Sequence, residues 1–223
     1  MDEVAFGYEQ LIKKIKIYQN GIISESIKNF GFQNLMNYGV PLPLLDKIAA
    51  SVPKNNNLAF YCWNQPVREL KLLAIRILET SSLKKEEIDL LILGIENSEI
   101  AEQLSFKLFG RIQKGKEIAL EMIQSPSKMA KYCGLMTMHQ FSISGKEIPD
   151  ESFKGFLNSI QDEEFEYNDF IKNGISKVLI GIASRNKRLK QFVINWLSIL
   201  KIKNQHIADW IDHEVMYYLV TKN

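Results

Sequence analysis

The chain has 223 residues, 46% of them hydrophobic and 24% charged, with a formal net charge of +2 at pH 7. That length and apolar share suit one folded domain or one continuous repeat array, and they exclude wholesale disorder. The small net charge excludes neither a nucleic acid nor a protein partner, because the distribution of charge matters more than its sum. No uninterrupted apolar run reaches the roughly 18 residues that span a bilayer, so no membrane segment is expected. The start, Met1-Asp2-Glu3-Val4, is acidic and lacks a basic stretch followed by an apolar one, which reads as no signal peptide. Cys62 and Cys133 are the two cysteines, each in a mostly apolar run, and read as reduced, buried thiols of a cytoplasmic protein.

Nearly every segment has helical period. Leu11, Ile15 and Tyr18 repeat along a first helix, with Lys13, Lys14 and Lys16 between them. Asn20-Gly21 breaks it, and a second helix over about Ile22 to Asn29 ends near Gly31. In Asn37-Tyr38-Gly39-Val40-Pro41-Leu42-Pro43, the glycine suits a helix C-terminus and the prolines suit the first turn of the next helix. That helix runs to about Val52, and Pro53 to Asn57 is a loop by composition. Leu58 to Trp63 and Pro66 to Glu79 form the next pair, with Pro66 at or near the first helical position. Leu70, Leu73, Ile77 and Leu78 make the apolar stripe of the second member; Arg68, Glu69 and Lys71 are expected to flank it. Ser81-Ser82 is expected to cap a helix from Lys84 to Gly94.

Further helices are expected at about Ser98 to Gly110, Lys116 to Gln124, Ser127 to Phe141, Asp150 to Ser159, Asn168 to Ser184, Lys187 to Leu200 and Asn204 to Val220. Gly94, Gly110, Gly115 and Gly145 sit at helix exits or in the links beyond. No strand-period segment of useful length is present. Short links make successive helices antiparallel neighbours. The expected fold class is therefore all-α: a superhelical solenoid of HEAT-like helical repeats, each about 40 residues long, over residues 1–223 as a single domain.

Charge is unevenly placed. From Phe170 to Ala208 there is no Asp or Glu, but there are Lys172, Lys177, Arg185, Lys187, Arg188, Lys190, Lys201 and Lys203. The preceding stretch is acidic, with Glu147, Asp150, Glu151, Asp162, Glu163, Glu164, Glu166 and Asp169. A basic block reads either as a solvated surface or as a polyanion site. In a solenoid, corresponding positions of successive helices converge on one concave face, which would gather Lys131, Lys177 and the Arg185–Lys190 cluster. The polar interruptions Asn97 to Glu102 and Ser125 to Tyr132, which include Lys128, are expected on that same face.

Few residue patterns suggest chemistry. Glu99 and Glu102 are three apart on one helical face. They read as a base and an electrostatic stabiliser, or as acids placed at a helix start where the dipole favours them. His206, Asp209 and His213 share a face but lack a further ligand, so no metal is expected. His139 has no evident partner and reads as partly buried. Gly110 to Gly115 lacks the phosphate-loop pattern. Trp63, Trp196 and Trp210 stand at apolar positions, where packing is the default, and the methionines at 122, 129, 136 and 138 read as core.

Four stretches in order, Asn37-Tyr38-Gly39-Val40-Pro41, Trp63-Asn64-Gln65-Pro66-Val67-Arg68-Glu69, Asn97 to Ser105, and Phe170 to Leu179, resemble successive landmarks of the AlkD family of HEAT-like-repeat DNA glycosylases. The resemblance spans roughly Leu11 to Leu200. It implies a helical superhelix whose cationic concave face holds duplex DNA. It also implies monofunctional release of N3- or N7-alkylated purines with no metal or cofactor. That chemistry uses a carboxylate near the sugar cation, aromatic faces against the deoxyribose and a basic side chain on a phosphate. In this chain the family's catalytic carboxylate position falls on Glu102, one residue of its aromatic pair on Ser98 and the other on Lys177. Its phosphate-directed arginine falls on or beside Tyr132, with Lys131 adjacent. Ser and Lys cannot offer a cation the aromatic quadrupole that Trp does.

The function implied is a DNA-binding alkylation repair protein with a degenerate active site, in which N-glycosidic hydrolysis is left open. A catalytically inactive relative that reads DNA shape and a protein-interaction scaffold are the alternatives. Glu102 is the candidate catalytic residue. Ser98, Lys128, Lys131, Tyr132, Lys172, Lys177, Arg185, Lys187, Arg188 and Lys190 are the candidate DNA contacts. The expected partner is duplex DNA, with the chain a monomer, cytoplasmic and nucleoid-associated when bound.

Overall fold

The computed structural model describes residues 3–29, 36–144, 148–162 and 168–221. Gly31, Gly145, Glu147, Glu163, Glu164 and Glu166 lie outside the described residues. Among the described residues there are thirteen α-helices and no strand, apart from one isolated parallel bridge between Met36 and Val67. None of these helices is long and apolar enough to cross a membrane. The chain divides into two compact units, Met1–Gln103 and Leu104–Asn223.

The first unit holds α1 (Glu3–Ile17), α2 (Gly21–Asn29), α3 (Leu42–Ala50), α4 (Asn56–Trp63), α5 (Arg68–Ile77), α6 (Lys85–Leu93) and most of α7 (Ser98–Leu104). Leu11 and Ile15 of the expected α1 stripe are fully buried. Local chemistry sets most boundaries. Asn55 caps α4 by accepting from Leu58 N at 2.9 Å, and Asn97 does the same for Ile100 N ahead of α7 at 2.9 Å.

Three local expectations are corrected. Gly39 is not at a helix end. It lies in the non-helical run leading into α3 at φ 70°, where a Cβ would stand 2.1 Å from Asn20 O, so only glycine fits. Pro66 precedes α5 rather than opening it, because its carbonyl accepts from Met36 N at 3.0 Å and Val67 is extended in the bridge. Ser81 and Ser82 lie in a short 3₁₀ turn, Thr80–Ser82. The α6 start is secured instead by the Glu87 carboxylate, which accepts from Lys84 N at 2.8 Å.

Within this unit α3, α5 and α7 run parallel, joined by side chains. Arg76 of α5 donates to Asp46 on α3, 30 residues back, and to Gln103 on α7, 27 residues on. Arg68 reaches Glu99 at a separation of 31. The repeat here is therefore nearer 30 residues than the expected 40.

The second unit begins with a five-residue π-helical stretch, Ser105–Phe109, in which Gly110 N donates to Ser105 O at 2.8 Å. Then follow α8 (Gly115–Ile123), α9 (Lys128–Ile143), α10 (Asp150–Asp162), α11 (Asp169–Ala183), α12 (Lys187–Lys203) and α13 (Gln205–Thr221). The π stretch is why the expected single helix over Ser98–Gly110 is interrupted; the Ser105 hydroxyl is turned inward to Cys133 O at 2.9 Å. Two layers form, α9–α11–α13 and α8–α10–α12. In the second, Trp196 Nε1 of α12 donates to Leu157 O of α10 at 2.8 Å across 39 residues. The first keeps the same register. A Cβ on Gly174 would meet Leu135 at 2.9 Å, and one on Gly181 would meet Ser142 Oγ at 2.0 Å. The repeat of about 40 residues holds in this unit, and the two glycines let α9 and α11 approach closely enough to keep it.

Candidate nucleic-acid interface

The predicted site residues divide between the units. Ser98 and Glu102 belong to the first; Lys128, Lys131, Tyr132, Lys172, Lys177, Arg185, Lys187, Arg188 and Lys190 belong to the second.

In the first unit, the two carboxylates on α7 have different surroundings. Arg68 grips Glu99 with two parallel bonds, Nε to Oε2 at 2.6 Å and Nη2 to Oε1 at 2.5 Å. Its Nη1 donates to Glu69 Oε1 at 2.9 Å and to Val40 O at 3.1 Å. Glu69, fully buried, also accepts from Tyr38 N at 3.0 Å and Val40 N at 3.2 Å. Burial opposes the charge of Arg68. Its hydrogen bonds and ion pairs to Glu99 and Glu69 outweigh that and hold its pKa above the ordinary value. Glu99 is thus a structural anchor rather than a base. One turn on, Arg76 donates to Gln103 Oε1 at 2.7 Å, to Asp46 at 2.7 Å and to Leu72 O at 2.8 Å. The turn carrying Glu102 is therefore fixed at Glu99 and again at Gln103, and Glu102 itself is half-buried, as is Ser98.

Arg68, Glu69, Lys71 and Arg76 are all buried, at 5%, 0%, 5% and 8% exposure. Arg68, Glu69 and Lys71 therefore do not flank the α5 stripe as solvated charges, as the sequence suggested. Lys71 donates to Trp63 O at 3.0 Å, pairs with Glu96 at 3.0 Å and lies 4.8 Å from the Trp63 ring. Charges placed on both sides of an apolar stripe read as solvated. A signal that could have found them is the alternation of opposite charges, Arg68-Glu69 and Lys71, with partners at Glu96, 25 residues beyond Lys71, and Glu99, 31 beyond Arg68.

In the second unit, Lys128 and Lys131 lie in the first turn of α9. Lys128 is exposed and Lys131 half-buried, behind the Ser127 cap that accepts from Ala130 N at 3.3 Å. Tyr132 is buried, at 3% exposure, and its ring meets that of Phe170 on α11 at 5.8 Å. Lys177 is exposed on α11. Beneath it His139 lies between α9 and α11. Burial lowers its pKa, and a hydrogen bond to the Lys177 backbone opposes that shift. Lys172 turns the other way, towards α13, with its ammonium 5.0 Å from the Trp210 ring and 2.9 Å from Asp169.

Arg185 serves packing. Its guanidinium donates to Ser142 O at 2.9 Å and lies 4.9 Å from the Phe153 ring. Lys187, Arg188 and Lys190 start α12, in the other layer; Lys187 and Lys190 line a cleft with Tyr218 and Leu219 of α13. The candidate basic residues thus separate into a group on α9 and α11 and a group at the head of α12.

Other candidates resolve as packing. Trp63 and Trp196 are buried at 2% exposure. Burial pushes both cysteine thiols up to about 12, which leaves them as unreactive thiols. Asp209 pairs with Lys201 at 2.7 Å. Among the described residues no cluster of His, Cys, Asp or Glu could hold a metal ion.

Parallel helices stacked at a repeat of about 30 residues in the first unit and about 40 in the second define an all-α protein of the HEAT-like repeat class. Residues 11–216 match the family model for DNA alkylation repair enzyme, and the chain belongs to that family. A solved structure from "a new family of proteins related to the HEAT-like repeat DNA glycosylases with affinity for branched DNA structures" superposes with a TM-score of 0.72 at 13% identity, covering 86% of this chain and 82% of that one. No curated protein matches.

Proposed function

We propose that this chain is a DNA-binding member of the alkylation repair family that holds distorted or branched DNA by its backbone, with base excision a minor capacity at most. The observation that carries this reading is the side chain at position 177. Where the family resemblance calls for an indole, α11 presents an exposed lysine, on the helix that packs beside α9, whose first turn carries Lys128 and Lys131. A lysine there adds a phosphate contact and removes a cation-stabilising ring. The affinity of the solved relative for branched DNA supports the same choice of ligand. The single-domain organisation and a monomeric state belong to this reading, because a repeat array needs only its end helices as caps.

The test is fluorescence anisotropy with a plain duplex and a four-way junction at several salt concentrations. Wild type should bind with a steep salt dependence. Lys131→Glu and Lys177→Glu should each weaken binding and lower the salt slope by about one. Unchanged affinity in both variants sinks the proposal.

Slow excision is the second reading, favoured by Glu102 on a turn fixed at both ends by arginine. Release of N7-methylguanine from methylated duplex above the spontaneous rate, abolished in Glu102→Gln, would establish it. Equal release by the two proteins removes it.

A further inference from the structure

A further feature of α11 bears on what kind of DNA this surface takes, and it rests on the DNA-binding reading above. Phe170 sits in the first turn of the helix and is 45% exposed. Phe170, Asn173 and Lys177 are all exposed, and spacings of three, four and seven place them on one helical face. Lys177 is two turns beyond Phe170, about 10 Å along the axis at 1.5 Å per residue.

The Phe170 ring is not loose. It leans on Tyr132 at 5.8 Å between centroids and 59° between planes. Tyr132 is held at 3% exposure, and a Cβ on Gly174 would come within 3.2 Å of its Cδ2. One exposed aromatic ring, backed by a fixed buried one and set on a lysine-bearing surface, matches a polyanion that also shows a flat apolar face. A single-stranded or unstacked nucleotide is such a ligand. A continuous duplex is not, because it stacks its base faces away and offers only edges in the grooves.

We propose that Phe170 discriminates opened or branched DNA from continuous duplex. Its ring stacks on an unpaired or unstacked base while Lys177 and Lys131 hold the neighbouring backbone.

The test compares wild type, Phe170→Ala, Phe170→Leu and Phe170→Trp by anisotropy. The probes are a plain duplex, a four-way junction and a duplex with a short single-stranded gap, all at one salt concentration. Wild type should prefer the junction and the gap. Phe170→Ala should lose about 5- to 150-fold on those two, the range of one base-stacking contact, with the plain duplex unchanged. Phe170→Leu keeps an apolar contact on Tyr132 but no stacking face, so it should behave as Phe170→Ala. Phe170→Trp should keep the preference. Equal losses on all three probes, no loss on any, or a leucine variant that binds as wild type would each overturn the assignment. Wild type that binds DNA without preference overturns it while leaving DNA binding standing. Wild type that binds none of the probes removes both.

Discussion

Replacing Arg68 by methionine keeps most of the side chain's volume and removes its guanidinium from four hydrogen bonds, two to Glu99, one to Glu69 and one to Val40 O. The damage is uneven. Glu69 is fully buried but retains two backbone donors, Tyr38 N and Val40 N. The Glu99 side chain is 20% exposed and can recruit water in part. Breaking a buried pair by removing one partner costs about 3–5 kcal/mol, and these two reliefs put Arg68→Met near the lower end, at about 3 kcal/mol. Glu99→Gln loses a charge-assisted bond at a part-solvated site, about 1–2 kcal/mol. The double variant should fall short of the sum by about 1 kcal/mol or more, because both changes remove the same contact.

Hydrogen exchange of the α5 amides reads this locally. The Arg68→Met loss corresponds to exchange roughly two orders of magnitude faster in α5. Acceleration by less than about fivefold, or strict additivity in the double variant, would refute the view that this buried pair joins α5 to α7.

Gly181→Ala places a methyl group 2.0 Å from Ser142 Oγ and should cost about 1–3 kcal/mol by overpacking. In a chain of this size that lowers Tm by roughly 2–12 °C. Gly155→Ala meets nothing within 4 Å inside α10 and should raise stability by about 0.5–1 kcal/mol; scanning calorimetry on the two variants checks the contrast. His139 has a folded-state pKa lowered chiefly by burial, so the unfolded chain takes up its proton more readily. Its contribution to stability is present above the unfolded pKa of about 6.5 and is lost as pH falls through the lower folded value. The urea midpoint should therefore drop between pH 7 and 5, and His139→Gln should flatten that slope. A slope identical to wild type would assign the pH dependence to other groups.

The sequence by itself determined most of the helices, the repeat length of the second unit and the family. Apolar period, asparagine and serine caps, and proline and glycine punctuation are local properties, so α4, α9, α11 and α12 stand close to where they were expected. The ordered landmarks also led to the alkylation repair family, which the match over residues 11–216 shows. The first two of those landmarks, around Tyr38 and Arg68, are structural. The Tyr38 and Val40 backbone groups, Arg68 and Glu69 form one hydrogen-bonded knot around the buried Glu69 carboxylate.

Only the tertiary structure separated charges that build from charges that face solvent. Arg68, Lys71, Arg76 and Arg185 share the composition of a binding surface, but each meets a partner 25 to 43 residues away in the chain. No local pattern reports whether a cation has met such a partner. The same holds for Glu99 and Glu102, equal on the helical wheel until Arg68 took one of them. Burial of a charge is decided by what packs over it, and that is settled when the repeats stack, not by the spacing of residues along one helix.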